Sequence, residues 1–356
     1  MSFARLQEKI DELKNPTVVG LDPDLAHIPD DVLKRNYKEY GETLEAASLA
    51  VYEFNTGLID ALYDIVPAVK PQSAYYEMLG PYGVFALAKT CEYARKKGMY
   101  VILDGKRNDI GSTAAAYSAA YLGSVKAGSK EYLPFNVDAL TVNAYLGSDG
   151  IKPFIETAIK YDKAIFALVR TSNPSAGELQ DKSVLTFENP ENDIEPNVTN
   201  NETSNNNNVT ESVTNIITGS VTGDNPARGG ALSQTMSHTE KLYTLVGDLM
   251  AEISKDTIDK YGYSCVGAVV GATYPQEAEF LRKRLENTFF LVPGYGAQGG
   301  SAEEAAKSFD ENSKGAIVNS SRGIIAAWKK HGGDYTAAAR EEALKMRDEL
   351  RKVLKY

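Results

Sequence analysis

The sequence predicts an α/β fold in which eight parallel strands alternate with helices, a (β/α)8 TIM barrel. Short apolar runs alternate with longer amphipathic stretches, which is the pattern of a parallel sheet covered by helices. Several runs are continuously apolar, as expected for strands buried on both faces. The runs occupy 17–21, 68–71, 100–103, 139–143, 164–170, 265–270, 289–293 and 316–319. A doubly wound open sheet is the alternative that strand number alone does not separate from a barrel.

The stretches between the runs have the periodicity of amphipathic helices. An N-terminal helix is indicated by apolar residues at helical spacing, Phe3, Leu6, Ile10 and Leu13. Further helices are predicted over 43–65, 84–97, 112–126, 151–160 and 239–260. Pro275 opens one more, because proline favours the first turn of a helix.

Polar residues and glycines gather directly after the predicted strands. In a barrel these positions share the carboxyl-terminal face, where barrel enzymes build their sites. They include Asp22, Lys70, Asp104, Lys106, Asn143, Thr171, Ser172 and Asn173. The last two strands are followed by Gly-Tyr-Gly-Ala-Gln at 294–298 and Asn-Ser-Ser-Arg-Gly at 319–323. These two loops predict a phosphate site, because glycines let N–H groups approach phosphate oxygens and Arg322 adds a bidentate clamp.

The segment Asp104-Gly105-Lys106-Arg107-Asn108-Asp109 places two carboxylates and an ammonium group at the end of the third predicted strand. Asp104 and Lys106 lie two residues apart, so on an extended segment their side chains point the same way. Charges at the end of a buried strand are rare without a partner or a function. Taken alone, the segment fits a structural ion pair as well as a catalytic one.

The composition is acidic and excludes several classes of protein. The formal net charge is −10 and no block of lysine or arginine is present, so we expect no binding to nucleic acid or anionic membranes. No apolar run approaches the roughly 18 residues of a membrane span, and residues 1–10 lack the apolar core of a signal peptide. Cys91 and Cys265 lie far apart and predict two reduced thiols in a cytoplasmic protein. The histidines are too dispersed to predict a metal site or a Ser-His-Asp triad.

The segment from about 188 to 238 interrupts the pattern. Its periodicity disappears, and an Asn run at 205–208 lies inside a tract of Asn, Thr, Ser and Val. Such a composition buries too little apolar surface to offset the entropy of ordering. We therefore predict one domain over 1–356, interrupted after the fifth strand by a disordered, low-complexity insertion. Within it, 209–222 alternates weakly, as a marginal hairpin would. A partner-binding or scaffolding role for the insertion is an alternative.

Together the motifs resemble those of orotidine 5′-phosphate decarboxylases, most closely the branch found in many bacteria and malaria parasites. The central one is Asp104-x-Lys106-x-x-Asp109, preceded by Lys70 and followed by Thr113. The other matching segments are Gly-Leu-Asp-Pro-Asp at 20–24, Val-Lys-Pro-Gln at 69–72, Asp-Ile-Gly at 109–111, Arg-Thr-Ser-Asn-Pro at 170–174, Pro-Gly-Tyr-Gly-Ala-Gln at 293–298 and Asn-Ser-Ser-Arg-Gly at 319–323. The resemblance covers nearly the whole chain outside the insertion.

The resemblance implies a catalytic role for each charge of the array. Lys106 would protonate C6 of the pyrimidine as carbon dioxide departs, and Asp104 would face the substrate carboxylate. Lys70 would hold Asp104 and contact the ribose. Asp109, together with Thr113, would reach into the site of the neighbouring subunit, which implies a homodimer.

The resemblance also implies a set of substrate-binding residues. Asp22 would bind a ribose hydroxyl, Ser172 would hydrogen-bond the pyrimidine, and Gln298 and Arg322 would hold the phosphate. The remaining members of the predicted binding set are Gln72, Thr113, Thr171 and Ser321. No pyridoxal or thiamine motif is evident, so neither a cofactor nor a metal ion is expected.

Two other activities remain open at this point. The nearer is a magnesium-dependent sugar-phosphate decarboxylase or aldolase on the same scaffold, since such relatives also carry D-x-K-x-x-D. Those relatives hold the metal partly through a Glu-x-Lys segment, whereas Lys70 has no acidic residue two positions before it. The other is a non-catalytic nucleotide-binding protein, although binding alone does not require a carboxylate that opposes an anion.

Overall fold

The computed structural model describes residues 2–187, 237–296 and 299–355. Its larger unit comprises Met1–Lys182 and Lys241–Tyr356 and contains eight parallel strands. We number them β1 (Thr17–Leu21), β2 (Ala68–Pro71), β3 (Tyr100–Arg107), β4 (Ala139–Val142), β5 (Ala164–Arg170), β6 (Val266–Val270), β7 (Phe290–Val292) and β8 (Ala316–Ser320).

The eight strands form a closed barrel in the order β1-β8-β7-β6-β5-β4-β3-β2. Closure is made by β1, which pairs in parallel with β2 through Val18 and Ala68 and with β8 through Thr17 and Val318. The predicted TIM barrel is therefore confirmed, and the open-sheet alternative is wrong. All eight strands begin within one residue of the predicted runs, because fully buried strands leave a continuous apolar signature.

Helices connect the strands. They span Ser2–Leu13, Asp30–Tyr40, Leu44–Leu62, Ala74–Glu77, Gly80–Lys96, Gly111–Tyr121, Lys152–Tyr161, Leu242–Ser254, Pro275–Arg284, Ala302–Ala306, Arg322–Ile325, Trp328–His331 and Tyr335–Val353. The helix predicted over 112–126 ends earlier, at Tyr121. It is followed by an unpredicted antiparallel hairpin, Val125–Ala127 with Lys130–Tyr132, whose exposed strands carry no apolar pattern. No described helix is long and apolar enough to cross a membrane.

The N-terminal helix closes one end of the barrel. Phe3 stacks on Phe289 with 5.0 Å between ring centroids and lies 4.9 Å from the ring of Phe166. With Leu6 and Ile10 it joins a buried apolar cluster that fills the barrel interior below the strand ends. This amino-terminal plug leaves the carboxyl-terminal end as the open face, where the polar residues lie.

The insertion follows β5, as predicted. Ser183–Glu240 forms a second unit, and its described residues lie in a two-stranded sheet of Ser183–Phe187 and Ser237–Lys241. Residues 239–241 therefore belong to a strand, and the helix predicted from 239 begins at Leu242. The Asn run at 205–208 and the candidate hairpin at 209–222 lie outside the described residues.

Candidate active site

A cavity of about 500 Å³ lies at the carboxyl-terminal ends of the barrel strands. Side chains from most of the eight strands reach it, because inward-pointing residues alternate along each strand. It gathers eight of the predicted site residues, Asp22, Lys70, Gln72, Asp104, Lys106, Thr171, Ser172 and Ser321.

Asp104 is the centre of this cavity's polar network. Its Oδ2 accepts hydrogen bonds from Lys70 Nζ and Gln72 Nε2, both at 2.9 Å. Its Oδ1 accepts from Lys106 Nζ at 2.7 Å and from the Thr141 hydroxyl at 2.8 Å. Four donors on one carboxylate fix both its position and its charge.

The charge partners within this network, and not its burial, determine its protonation. Burial by itself would raise the pKa of Asp104, but the Lys70 and Lys106 ammonium groups outweigh it and hold that pKa well below its usual range. Burial would likewise lower the pKa of Lys70, yet Asp104 and Asp22 raise it overall. Asp104 is thus a carboxylate and Lys70 an ammonium group at neutral pH.

The two lysines differ in access. The Lys70 side chain is 5 % exposed, whereas that of Lys106 is 48 % exposed. A molecule in the cavity therefore meets the Lys106 ammonium group directly, while Lys70 acts mainly on Asp104. Asp22 also lines the cavity, and its buried Oδ1 has no hydrogen-bond partner among the described residues.

The end of β3 is a bulge. Leu103 lies opposite Leu140 and Arg107 opposite Val142, so three residues of β3 face one residue of β4. Lys106 has a φ of 47°, in the left-handed region that side chains seldom adopt. Asp104 and Lys106 do meet, as expected, but through a bulge that re-aims the lysine and not through a regular extended strand.

Thr141 is the member of this network that the sequence analysis missed. It is the single β4 residue opposite the bulge, and it is almost fully buried. Its Oγ1 donates to Asp104 and accepts from the backbone N–H of Lys106 at 2.9 Å. The available signal was a hydroxyl residue at an inward position of the otherwise apolar run 139–142.

Thr171 and Ser172 form the cavity wall after β5. Thr171 is held by Gln180, whose Oε1 accepts from the Thr171 N–H at 3.0 Å and whose Nε2 donates to Thr171 Oγ1 at 2.7 Å. The Ser172 hydroxyl makes no hydrogen bond to any residue that the structure describes, and it is therefore available to a ligand. Gln180 also lines the cavity and was not predicted.

The predicted phosphate residues lie at the ends of β7 and β8. Ser321 borders the cavity, and Gly20 passes beneath it so closely that a Cβ there would lie 1.9 Å from Ser321 Oγ. Arg322 is exposed next to Ser321 and forms no ion pair with a described residue. Gly294 and Gly296 have φ values of 98° and 69°, which glycine adopts readily. Gln298 lies outside the described residues.

Asp109 and Thr113 do not line the cavity of their own chain. Asp109 Oδ1 accepts from the backbone N–H of Ile110, and Thr113 is exposed near the start of the helix Gly111–Tyr121. Ile110, which lies between them, is 57 % exposed. The structure thus keeps these two residues outside the Asp104 network of the same chain.

The sequence matches the profile of a known family. A sequence profile described as the orotidine 5′-phosphate decarboxylase / HUMPS family matches residues 19–241. The chain belongs to this family. The assignment agrees with the closed barrel and with the charged network at the carboxyl ends of its strands.

Individual proteins with this name are similar to the chain over nearly its full length. The chain is 38 % identical over 342 residues to an orotidine 5′-phosphate decarboxylase of Rhodopirellula baltica, covering 96 % of this chain and 93 % of that one. It is 37 % identical to the Caldicellulosiruptor bescii protein of the same name, covering 92 % and 90 %. The solved OMP decarboxylase structure of Leishmania donovani superposes with a TM-score of 0.60 at 25 % identity, covering 98 % and 99 %.

Proposed function

We propose that the chain decarboxylates orotidine 5′-phosphate to UMP and carbon dioxide, the last step of UMP biosynthesis, as a carboxy-lyase. The observation that carries the proposal is the geometry around Asp104. One buried carboxylate is fixed by four donors, and one of these donors, Lys106, remains open to the cavity.

The chemistry requires stabilisation of charge at a carbon atom. When the bond from C6 to the carboxyl group breaks, its electron pair remains at C6, and the ring delocalises it poorly. An ammonium group fixed beside C6 stabilises this charge and then donates a proton to the same carbon. We assign this role to Lys106, which regains its proton from solvent after carbon dioxide leaves.

Asp104 keeps the proton donor in place. Its ion pairs to Lys70 and Lys106 are 2.9 Å and 2.7 Å long, and together the three groups carry a net charge of about +1. A substrate carboxylate is attracted to this triad as a whole, while Asp104 opposes its charge at short range. Loss of carbon dioxide removes that opposition, so the network favours the product side of the step.

Binding energy comes from the ends of the substrate remote from C6. We assign the ribose hydroxyls to Asp22 with Lys70, the pyrimidine to Ser172, and the phosphate to Ser321, Arg322 and Gln298. Gln72 and Thr171 act through their bonds to Asp104 and to Gln180. Phosphate contacts far from the reacting carbon help to align the ring for the chemical step.

The site is completed by a second copy of the chain in this proposal. Asp109 and Thr113 lie outside the cavity of their own chain, beside the exposed Ile110. In a twofold-symmetric dimer each chain gives its Asp109 and Thr113 to the ribose site of the other. A cytoplasmic location stays a prediction, supported by Cys91 and Cys265, which are both free, buried thiols.

The magnesium-dependent lyase is less well supported. Position 68, two residues before Lys70, is an alanine buried in the apolar barrel cluster and offers no side-chain oxygen as a ligand. Position 72, two residues after it, is a glutamine whose amide group donates to Asp104.

A direct assay tests the proposed activity. Orotidine 5′-phosphate is added to the purified protein in EDTA, and substrate absorbance, UMP and carbon dioxide are followed together. We expect equal amounts of UMP and carbon dioxide to form without added metal. Failure to consume the substrate with or without magnesium would overturn the proposal, and magnesium-dependent cleavage of a sugar phosphate would support the alternative.

A further inference from the structure

Arg170 is a buried cation beside the cavity that the proposed chemistry does not use. It ends β5, is 1 % exposed, and is among the largest fully buried side chains of the described protein. Its guanidinium carbon lies 3.7 Å from the ring centroid of Tyr274 and 5.6 Å from that of Tyr243. A buried charge is costly unless its partners compensate it, so the identity of its partners indicates its role.

The polar partners of Arg170 are Gln180 and Asp181. Nη1 donates to Gln180 Oε1 at 3.3 Å, and Nη2 forms an ion pair with Asp181 at 3.2 Å. The Nε atom has no hydrogen-bond partner among the described residues. The polar contacts of the guanidinium group with described residues are therefore all made to residues 180–181, which follow the loop after β5.

Gln180 connects Arg170 to the cavity wall through hydrogen bonds. Its Oε1 accepts from both Arg170 and the Thr171 N–H, so the amide oxygen must point toward these two donors. Its Nε2 consequently faces Thr171 Oγ1, to which it donates at 2.7 Å. Thr171 Oγ1 in turn donates to Asn173 Oδ1 at 2.7 Å. One glutamine thus fixes the residues on both sides of Ser172.

The opposite side of Ser172 is held by the loop after β6. A Cβ on Gly271 would lie 2.8 Å from the Ser172 Cβ, so the backbones approach as closely as only glycine allows. Thr273 Oγ1 donates to the Ser172 carbonyl at 3.4 Å, and Tyr274, which stacks on Arg170, donates to the Asn173 carbonyl at 3.4 Å. Ser172 is clamped through its backbone, while its hydroxyl remains available to a ligand.

We propose that Gln180, oriented by the buried Arg170, is a positioning residue that holds the Ser172 hydroxyl where it can bond a pyrimidine base. Gln180 thereby increases the affinity of the site for ligands that carry this base. The inference rests on the proposed function, because it takes Ser172 as the contact to the base. Arg170 and Gln180 act on the base end of the site alone, since none of their bonds reaches Ser321, Arg322 or the Asp104 network.

Two ligands distinguish binding at the base end of the site from binding at the phosphate end. UMP carries the pyrimidine, ribose and phosphate, whereas ribose 5-phosphate lacks the base. In Gln180→Leu and Arg170→Met we expect the affinity for UMP to fall about tenfold and that for ribose 5-phosphate to stay within about twofold. Gln180→Glu keeps an acceptor for Arg170 and for the Thr171 N–H. Its ratio of UMP affinity to ribose 5-phosphate affinity should therefore stay close to that of wild type.

Two matched variants serve as controls, one for a general loss of stability and one for the replacement of a glutamine side chain by leucine. Arg282 is also a buried arginine over an aromatic ring, 4.2 Å from the Phe290 centroid, but it donates to carbonyls before β7 and β8. Arg282→Met should lower thermal stability without changing the ratio of the two affinities. Gln276 is exposed, so Gln276→Leu should change neither property.

The outcome of this experiment is decisive in each direction. A reduced ratio of UMP to ribose 5-phosphate affinity in Gln180→Leu, with the ratio unchanged in Arg282→Met, supports the inference. An unchanged ratio in Gln180→Leu overturns it even when Arg170→Met does not fold. A wild-type protein that binds both ligands equally would overturn this inference, whereas loss of the proposed function would show as failure to consume orotidine 5′-phosphate in the direct assay.

Discussion

The Thr141 hydroxyl donates a 2.8 Å hydrogen bond to Oδ1 of Asp104, the same oxygen that accepts from Lys106. That hydroxyl also accepts the Lys106 backbone N–H, so one β4 side chain holds both ends of the β3 bulge. The orientation of Lys106 therefore depends on the neighbouring strand as much as on its own.

The first prediction concerns this hydroxyl. Thr141→Val keeps the shape of the side chain but leaves the Lys106 N–H and one Asp104 oxygen with a missing partner. We expect kcat for orotidine 5′-phosphate to fall by about tenfold to a hundredfold with little change in KM. Thr141→Ser retains the hydroxyl and should stay within about threefold of wild type. Equal kcat values for the Val and Ser variants would contradict a role for the hydroxyl.

The second prediction concerns the pH dependence of stability. The pKa of Asp104 is lowered in the folded protein, because Lys70 and Lys106 outweigh the effect of burial. Its contribution to folding is therefore complete above its unfolded pKa of about 3.9 and is lost as the pH falls through the lower folded value. Asp104→Asn should cost about 3–5 kcal/mol at neutral pH, since Lys70 is left buried without its carboxylate.

Urea unfolding from about pH 7 to about pH 3 measures this contribution. The difference in unfolding free energy between wild type and Asp104→Asn should narrow only below about pH 4. Asp30→Asn, which removes an exposed ion pair to Lys34, is the matched control and should change stability little. A difference between wild type and Asp104→Asn that is the same at every pH would contradict the assignment.

The third prediction tests the shared site by mixing inactive variants. Lys106→Ala lacks the proposed proton donor, and Asp109→Ala lacks the group proposed to enter the partner's site. In a mixed dimer one site carries both defects and the other carries neither. Random reassortment of equal amounts should therefore restore about a quarter of wild-type activity. No recovery in mixtures that have demonstrably exchanged subunits would refute a site shared in this way.

The fourth prediction concerns the insertion. The residues that flank it are hydrogen-bonded to each other within the barrel unit, where the Leu242 N–H donates to the Lys182 carbonyl at 2.9 Å and the Tyr243 N–H to the Gln180 carbonyl at 3.1 Å. Replacing 188–236 with a short Gly-Ser linker should leave kcat/KM within about twofold of the full-length protein and the oligomeric state unchanged. Dissociation or loss of activity in a folded deletion variant would favour a scaffolding role.

The barrel and most of the cavity were predictable from sequence for one physical reason. Strands buried on both faces leave continuous apolar runs, and parallel strands bring all their carboxyl ends to one face. Lys70, Asp104 and Ser321 are far apart in the chain but share that face, and all three line the cavity. Strand ends alone therefore located most of the polar side chains that line the cavity.

The residues that were missed carry no such signal. Thr141 lies within a strand, where threonine is common for reasons of β-propensity, and only the bulge opposite reveals its role. Gln180 lies in a turn without periodicity and acts through its bonds to Thr171 and Arg170. Asp109 was recognised as part of the motif, but the role proposed for it requires a second chain, which the sequence of one chain does not reveal.

The central claim is that the Lys106 ammonium group supplies the proton to C6, and the most direct test is the turnover of Lys106→Ala. Single-turnover release of carbon dioxide from orotidine 5′-phosphate should fall by about 10⁴-fold or more, because both charge stabilisation and the proton donor are lost. Affinity for UMP should change by less than about tenfold, and the exposed-lysine control Lys126→Ala should behave as wild type. Turnover of Lys106→Ala within about tenfold of wild type would contradict the account.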